Sequence, residues 1–151
     1  MKKVVMLFAS LFIVLLSGCA SVPMASLDMD AKAKNFTPLP HKAAIFIYRN
    51  EVFGAAIPLA LSVNGQILGQ TAAKTYYRLN VKPGRYTITS MAENVSEMDL
   101  HVKAGRSYYV WQEVKMGMWA AGSHLQEVDE STGQKGVAES KLIASRTISE
   151  R

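Results

Sequence analysis

Between Lys42 and Val128 the chain is a succession of short apolar or alternating runs, each closed by a turn signal. None of the intervals holds the dozen or more residues that a crossover helix needs, which argues against an open α/β architecture. AAIFIYR at 43–49 is apolar throughout its middle. LALSV at 59–63 sets Leu59, Leu61 and Val63 on one face, and Asn64-Gly65 then leads into QILGQT. Asn-Gly between two such runs predicts a two-residue hairpin with a type I′ turn, because that turn requires positive φ at both residues. TYYRLNV at 75–81 puts Tyr77, Leu79 and Val81 on one face, and Lys82-Pro83-Gly84-Arg85 suits a type II turn. Further strands are predicted at 86–92, at 98–102 with His101 on the outward face, at 107–114 and, less regularly, at 123–128. About seven strands spaced roughly 8 to 15 residues apart predict an all-β fold, an antiparallel β-sandwich. Ser131-Thr132-Gly133-Gln134 fits a capping box, predicting a short helix over 132–143 that Gly133 and Gly136 weaken by about 1 kcal/mol each.

The N-terminus carries a different kind of signal. Lys2 and Lys3 precede an apolar run from Val4 to Leu16 broken only by Ser10. These are the n-region and h-region of a secretory signal, and the run is shorter than the ~20 residues of a spanning helix. Leu16-Ser17-Gly18-Cys19 closes it and resembles the bacterial lipobox, with Cys19 the only cysteine of the chain. The resemblance implies diacylglyceryl transfer to the Cys19 thiol, cleavage before Cys19, and acylation of the new amino group. One acyl chain holds marginally, whereas two or three attach stably. Ala20, where the sorting rule of Gram-negative bacteria places Asp to retain a lipoprotein in the inner membrane, implies the outer membrane and its periplasmic leaflet. The expected organisation is a cleaved signal at 1–18, a lipidated cysteine and flexible linker at 19–41, a sandwich domain at 42–137 and a tail at 138–151, partly helical or disordered. The linker is expected from Pro23, Pro38 and Pro40 and the lack of periodicity, with a mean span of roughly 25 Å.

VNGQILGQ, YYRLNVKPGRYTI and VKAGRSYYVWQEV, together with the lipobox, resemble the bacterial lipoprotein family catalogued as domain of unknown function 2846. The matching positions are Asn64, Gly65 and Gly69, then Pro83, Gly84 and Tyr86, then Gly105, Tyr108 and Tyr109. The hairpin and Pro-Gly turn are also similar to the PEGA type of surface-layer β-domain. Both resemblances imply a compact β-sandwich, and neither brings a reaction or catalytic residues.

Chemistry-bearing residues are sparse. No serine lies in GxSxG, and no HxH or HExxH spacing joins His41, His101 or His124, so neither a hydrolase nor a zinc enzyme is expected. Glu97 and Asp99 share a strand face and read as a solvated edge. No catalytic residue, metal site or cofactor is assigned. Met116-Gly117-Met118-Trp119 with His124 behind it is the one unusual cluster: two thioethers and an imidazole are a donor set for Cu(I). The aromatic pairs Tyr76-Tyr77 and Tyr108-Tyr109, with Trp111, place one residue of each pair inside and the other outside. Outward Tyr76, Tyr109 and Trp111 are the expected partner-binding patch, since such side chains are enriched at interfaces.

The chain carries a formal +5, and +3 without Lys2 and Lys3, so charge gives no argument for nucleic acid. It is unevenly placed: residues 42–85 hold six basic side chains against Glu51 alone, which reads as a dipolar solvated surface or one able to meet anionic headgroups. The expected function is a non-enzymatic binding or scaffolding module tethered to the outer membrane at Cys19 and facing the periplasm. Its expected partner is an envelope protein or the cell wall. The alternative is a periplasmic Cu(I) carrier using Met116, Met118 and His124.

Overall fold

The computed structural model describes residues 22–118 and 121–144; Cys19, Trp119 and the residues after 144 lie outside them. In chain order the elements are α1 (Leu27–Ala33), β1 (Ala43–Arg49), β2 (Leu59–Val63), β3 (Gln66–Thr71), β4 (Thr75–Val81), β5 (Gly84–Met91), β6 (Val95–Val102), β7 (Ser107–Met116), β8 (Ala121–Val128), α2 (Glu130–Ala138) and β9 (Lys141–Leu142). They form two sheets, ordered β8-β7-β1-β4-β9 and β3-β2-β5-β6, packed as a β-sandwich. The expected all-β sandwich is present, with nine strands among the described residues rather than about seven. It is not purely antiparallel: β1 pairs parallel with β7, and β4 with β9. The chain builds the second sheet between β1 and β7, so that sheet serves as the crossover and no helix is required.

Local chemistry explains the hairpins. Asn64 and Gly65 both have positive φ, 49° and 76°, as the type I′ turn demands. The Asn64 side chain also accepts a hydrogen bond from the Thr87 amide at 2.9 Å, pinning the hairpin to β5. The helix is shifted from the sequence expectation: α2 begins at Glu130, and its N-cap is Asp129, which accepts from the Thr132 amide, instead of Ser131. Hydrogen bonds from Thr132 and Ser131 hold the exposed Asp129 carboxyl well below the usual carboxylate range.

The core has two layers. Between the sheets lie Ile45, Ile47, Leu61, Tyr77, Leu79, Ile88, Leu100, Val110 and Leu125. A buried hydrogen-bonded chain crosses this layer. Thr71 donates to the Gln112 side-chain oxygen at 2.6 Å, Gln112 donates to Ser90 at 2.6 Å, and Ser90 meets Ser123 at 2.6 Å. Because Gln112 and Ser123 belong to one sheet and Thr71 and Ser90 to the other, the chain fixes how the sheets register; slippage would leave buried polar groups unpaired. The second layer covers the outer face of the five-stranded sheet, where Phe46, Tyr48, Tyr76 and Tyr109 pack beneath both helices with Ala33, Val137 and Leu142. Phe46 and Tyr109 stack at 5.1 Å.

Residues 22–41 are therefore not the expected flexible linker. Val22 is buried in the inter-sheet core, and Met24 bridges Ile143 as an added edge, with Ala25 donating to the Leu142 carbonyl at 2.9 Å and Ala144 to the Pro23 carbonyl at 2.8 Å. Asp30 on α1 accepts from the Tyr76 hydroxyl and the Leu142 amide, each at 2.9 Å, and from Lys34 at 2.7 Å. Burial opposes ionisation of Asp30, but those hydrogen bonds outweigh it and keep the carboxyl below its ordinary value. The domain also runs past 137: β9 and the buried Ser140 and Ile143 belong to it.

Candidate functional site

The strands give the sandwich two chemically different ends. At one end lie the segment 40–42 and the turns around 82–85 and 103–106, brought together by the pairs Ala43–Val81, Ala44–Ser107 and Gly84–Val102. At the other lie the loop 50–58, the turns 72–74 and 92–94, and the tip of the β7–β8 hairpin.

A cleft of about 620 Å³ opens at this second end, between the β5–β6 turn and the β7–β8 hairpin. Its floor is a backbone clamp. Asn94 accepts from the Ser123 amide at 2.6 Å and donates to the Ser123 carbonyl at 2.8 Å, tying the turn of one sheet to a strand of the other. Gly122 allows that approach, since a Cβ there would meet the Asn94 side-chain oxygen at 2.8 Å. Glu93, Met116, Met118 and His124 stand around the cleft. The two methionines are 78% and 84% exposed, an unusual state for large apolar side chains. Val95, next to Asn94, and Val52 and Phe53 on the neighbouring loop are exposed as well.

That loop is held from within. Arg49 is fully buried and donates to the Ile57 carbonyl at 2.7 Å and the Gly54 carbonyl at 2.6 Å. Desolvation lowers the Arg49 pKa, with Glu51 partly offsetting it. The Glu51 carboxyl is pushed up by its own burial, against a weak bond from the Val114 amide at 3.4 Å. Arg49 thus holds loop 50–58 against the end of β1, and Glu51 joins that loop to Val114 near the end of β7 that carries Met116.

Register decides what the sequence-predicted residues do. Met116 is opposite Ala121, on the face that Gln112 and Val114 share, whereas His124 is opposite Glu113 on the other face. Cu(I) ligation by Met116, Met118 and His124 needs converging donors; here Met116 and His124 border one cleft from opposite faces of the hairpin. Ser123 and His124 are adjacent but also point apart, with the Ser123 hydroxyl bonded to Ser90 in the core. Among the described residues no three His, Cys, Asp or Glu side chains form a group able to hold a metal.

The expected aromatic patch is corrected. Tyr76 and Tyr109 are fully buried and Trp111 is half-buried. They do face away from the inter-sheet core, as alternation predicted, but α1 and α2 cover that face. Burial pushes up the phenol of Tyr76 first, reinforced by the Asp30 carboxylate, and that of Tyr109 likewise. Sequence reasoning missed Asn94, Gly122 and Arg49, whose partners lie far along the chain or in backbone carbonyls.

Comparison with known proteins adds a family. The model of a family described as "Protein of unknown function (DUF2846)" matches residues 40–124, more than half of the chain. The chain belongs to this family. The DUF2846 segment runs from just before β1 into β8, including Asn94, Met116, Met118, Gly122 and His124, and stops short of α2 and β9. An uncharacterized protein of Haemophilus influenzae is 30% identical over 133 residues, covering 87% of this chain and 79% of its own length. No solved structure matches.

Proposed function

We propose that this DUF2846 protein is a non-enzymatic binding module, lipid-anchored at Cys19 to the outer membrane and facing the periplasm. It takes another envelope protein at the cleft between the β5–β6 turn and the β7–β8 hairpin. The observation that carries the binding reading is the exposure of Met116 and Met118 at the mouth of a cleft whose floor is fixed by Asn94 and Ser123. Flexible, polarizable methionines suit an adaptable protein contact, and a rigid floor lowers the entropy lost on binding. The tether reading is supported by the sequence from Lys2 to Cys19. Lipid at Cys19 raises the local concentration of the module near envelope partners, so that a weak contact suffices.

A photo-crosslinking residue at position 118, introduced into the full chain in cells, is expected to give one discrete protein adduct that Met116→Glu abolishes. Lipid adducts alone, or none, would remove the partner from this cleft. The tether has its own test: labelled palmitate is expected on the wild-type chain and absent from Cys19→Ser, which should leave the membrane fraction. Label retained on Cys19→Ser sinks the lipid assignment.

A further inference from the structure

We infer that the end of the sandwich opposite the cleft is a membrane-docking surface that recognises anionic phospholipid headgroups. Lys82, Arg85, Lys103 and Arg106 are all exposed there, and Lys42 is half-buried beside them. The pairs Gly84–Val102 and Arg85–His101, together with hydrogen bonds from Ala44 to the Arg106 carbonyl and from Gly105 to the Lys42 carbonyl, gather these residues from three separate stretches of chain. The clustering is a product of topology, since no two of the three stretches are contiguous in sequence.

Four carboxylates stand near this end, set back from its turns, and one of them, Glu127, is exposed opposite Val110 on β8. Asp99 lies three residue pairs in from the Gly84–Val102 tip and accepts from Thr87 at 2.6 Å. Asp129 and Glu130 stand at the start of α2, where Asp129 caps the helix and Glu130 accepts from Gln134. The turns themselves carry no acidic residue.

The second observation is the direction in which the chain enters the domain. Met24 pairs antiparallel with Ile143, while β9 runs parallel to β4. Traced back from Ala25 to Val22, the chain therefore heads toward the Val81 end of β4, the basic end. Val22 is packed in the core beside Ala72 and Thr75 and Cys19 is three residues upstream, so the Cys19 Cα is tied within about 11 Å of a fixed point on the domain. Cations that the short tether brings to within about 8 Å, one Debye length at physiological salt, of a charged lipid surface are only partly screened from it. The expected linker of some twenty residues allowed any orientation; the packed segment 22–41 allows few. Docking by the basic end presents the Met116–Met118 cleft away from the bilayer. The inference rests on the tether reading of Cys19.

The test uses acylated mature protein purified from cells, its acyl mass checked on the intact chain, and reconstituted in vesicles of phosphatidylethanolamine with phosphatidylglycerol. Lysines are then labelled with a water-soluble amine reagent and read by mass spectrometry. Lys82 and Lys103 are expected to label about threefold or more slowly than in detergent, with Lys115 and Lys141 at the other end unchanged. The protection is expected to vanish in phosphatidylcholine vesicles. It should also be lost at Lys82 in an Arg85→Gln, Lys103→Gln, Arg106→Gln variant. Equal labelling at both ends of an acylated chain overturns the docking surface while leaving the tether intact. Protection that persists on neutral lipid overturns its charge basis, and a chain without acyl mass overturns the tether and the docking together.

Discussion

Arg49→Ala is expected to destabilise the domain by about 3–5 kcal/mol, the range for breaking a buried charged network. The guanidinium is fully enclosed and holds the carbonyls of Gly54 and Ile57. Alanine removes both bonds, leaves those carbonyls to be satisfied by nothing comparable, and opens a cavity the size of an arginine stem. Because a buried cation carries a desolvation cost of its own, Arg49→Met separates the two contributions. It refills much of the volume without the charge and is expected to recover roughly half of the loss. Urea unfolding of the three proteins measures this, and a loss below about 1 kcal/mol in Arg49→Ala would show that the loop does not depend on this clamp. The cleft should feel it as well: loop 50–58 contacts the end of β7 through Glu51 and Val114, so crosslinking from position 118 is expected to fall in Arg49→Ala.

Gly136→Ala is expected to destabilise by about 2 kcal/mol, although alanine is the better helix former by about 1 kcal/mol. A Cβ at Gly136 would overlap the ring of Tyr48, and one at Gly133 would overlap Tyr109. The two glycines, three residues apart on one face of α2, are what let the helix lie directly on the aromatic layer. Adding methyl groups lifts the helix, strips contact from Tyr48 and Tyr109, and admits water beside phenols now held well away from it. Gly133→Ala is expected to behave alike and the double variant to lose the docked helix. Lys135→Ala, on the exposed side, should stay within about 0.5 kcal/mol of wild type. Thermal unfolding followed by tryptophan fluorescence gives the ranking. A Gly136→Ala protein more stable than wild type would mean that the sheet yields to the helix, contrary to the packed geometry.

These two glycines also mark where sequence reasoning reached its limit. Alternation assigned Tyr77, Leu79 and Val81 to the inter-sheet core, where they are found. It put Tyr76 and Tyr109 on the other side with equal success, and erred only in taking that side for solvent. The missing information was the pair of short covering helices, each with a weak signal of its own: α1 is seven residues with several charges, and α2 carries the glycines that propensity penalises. One cue was present. AAIFIYR does not alternate, and a strand buried at every position, as β1 is, has both faces covered. Proline content and lack of period made 22–41 read as a linker because its attachments are backbone bonds, the Asp30 carboxylate and a few scattered apolar side chains, Val22, Ala33 and Phe36, which leave no periodic trace. A two-residue strand such as β9 is below what any period can reveal. At the candidate site the Met-Gly-Met oddity was legible, but the clamp between Asn94 and Ser123 joins residues from different sheets and has no local signature.

The parallel pairing of β1 with β7 carries a kinetic consequence. β1 is the central strand of its sheet, yet its partner at Ser107 is about sixty residues further along the chain. The bridge between Met24 and Ile143 spans nearly the whole described length. A nascent polypeptide can pair AAIFIYR with β4 once Val81 has emerged, but one edge of that apolar strand stays open until β7, which ends at Met116, has followed, and the seam between Met24 and Ile143 closes last. Topologies dominated by such distant partners fold slowly and stay vulnerable to association while they wait. The burden on whatever escorts this chain falls on the open edge of its first strand, which waits for β7 to cover it.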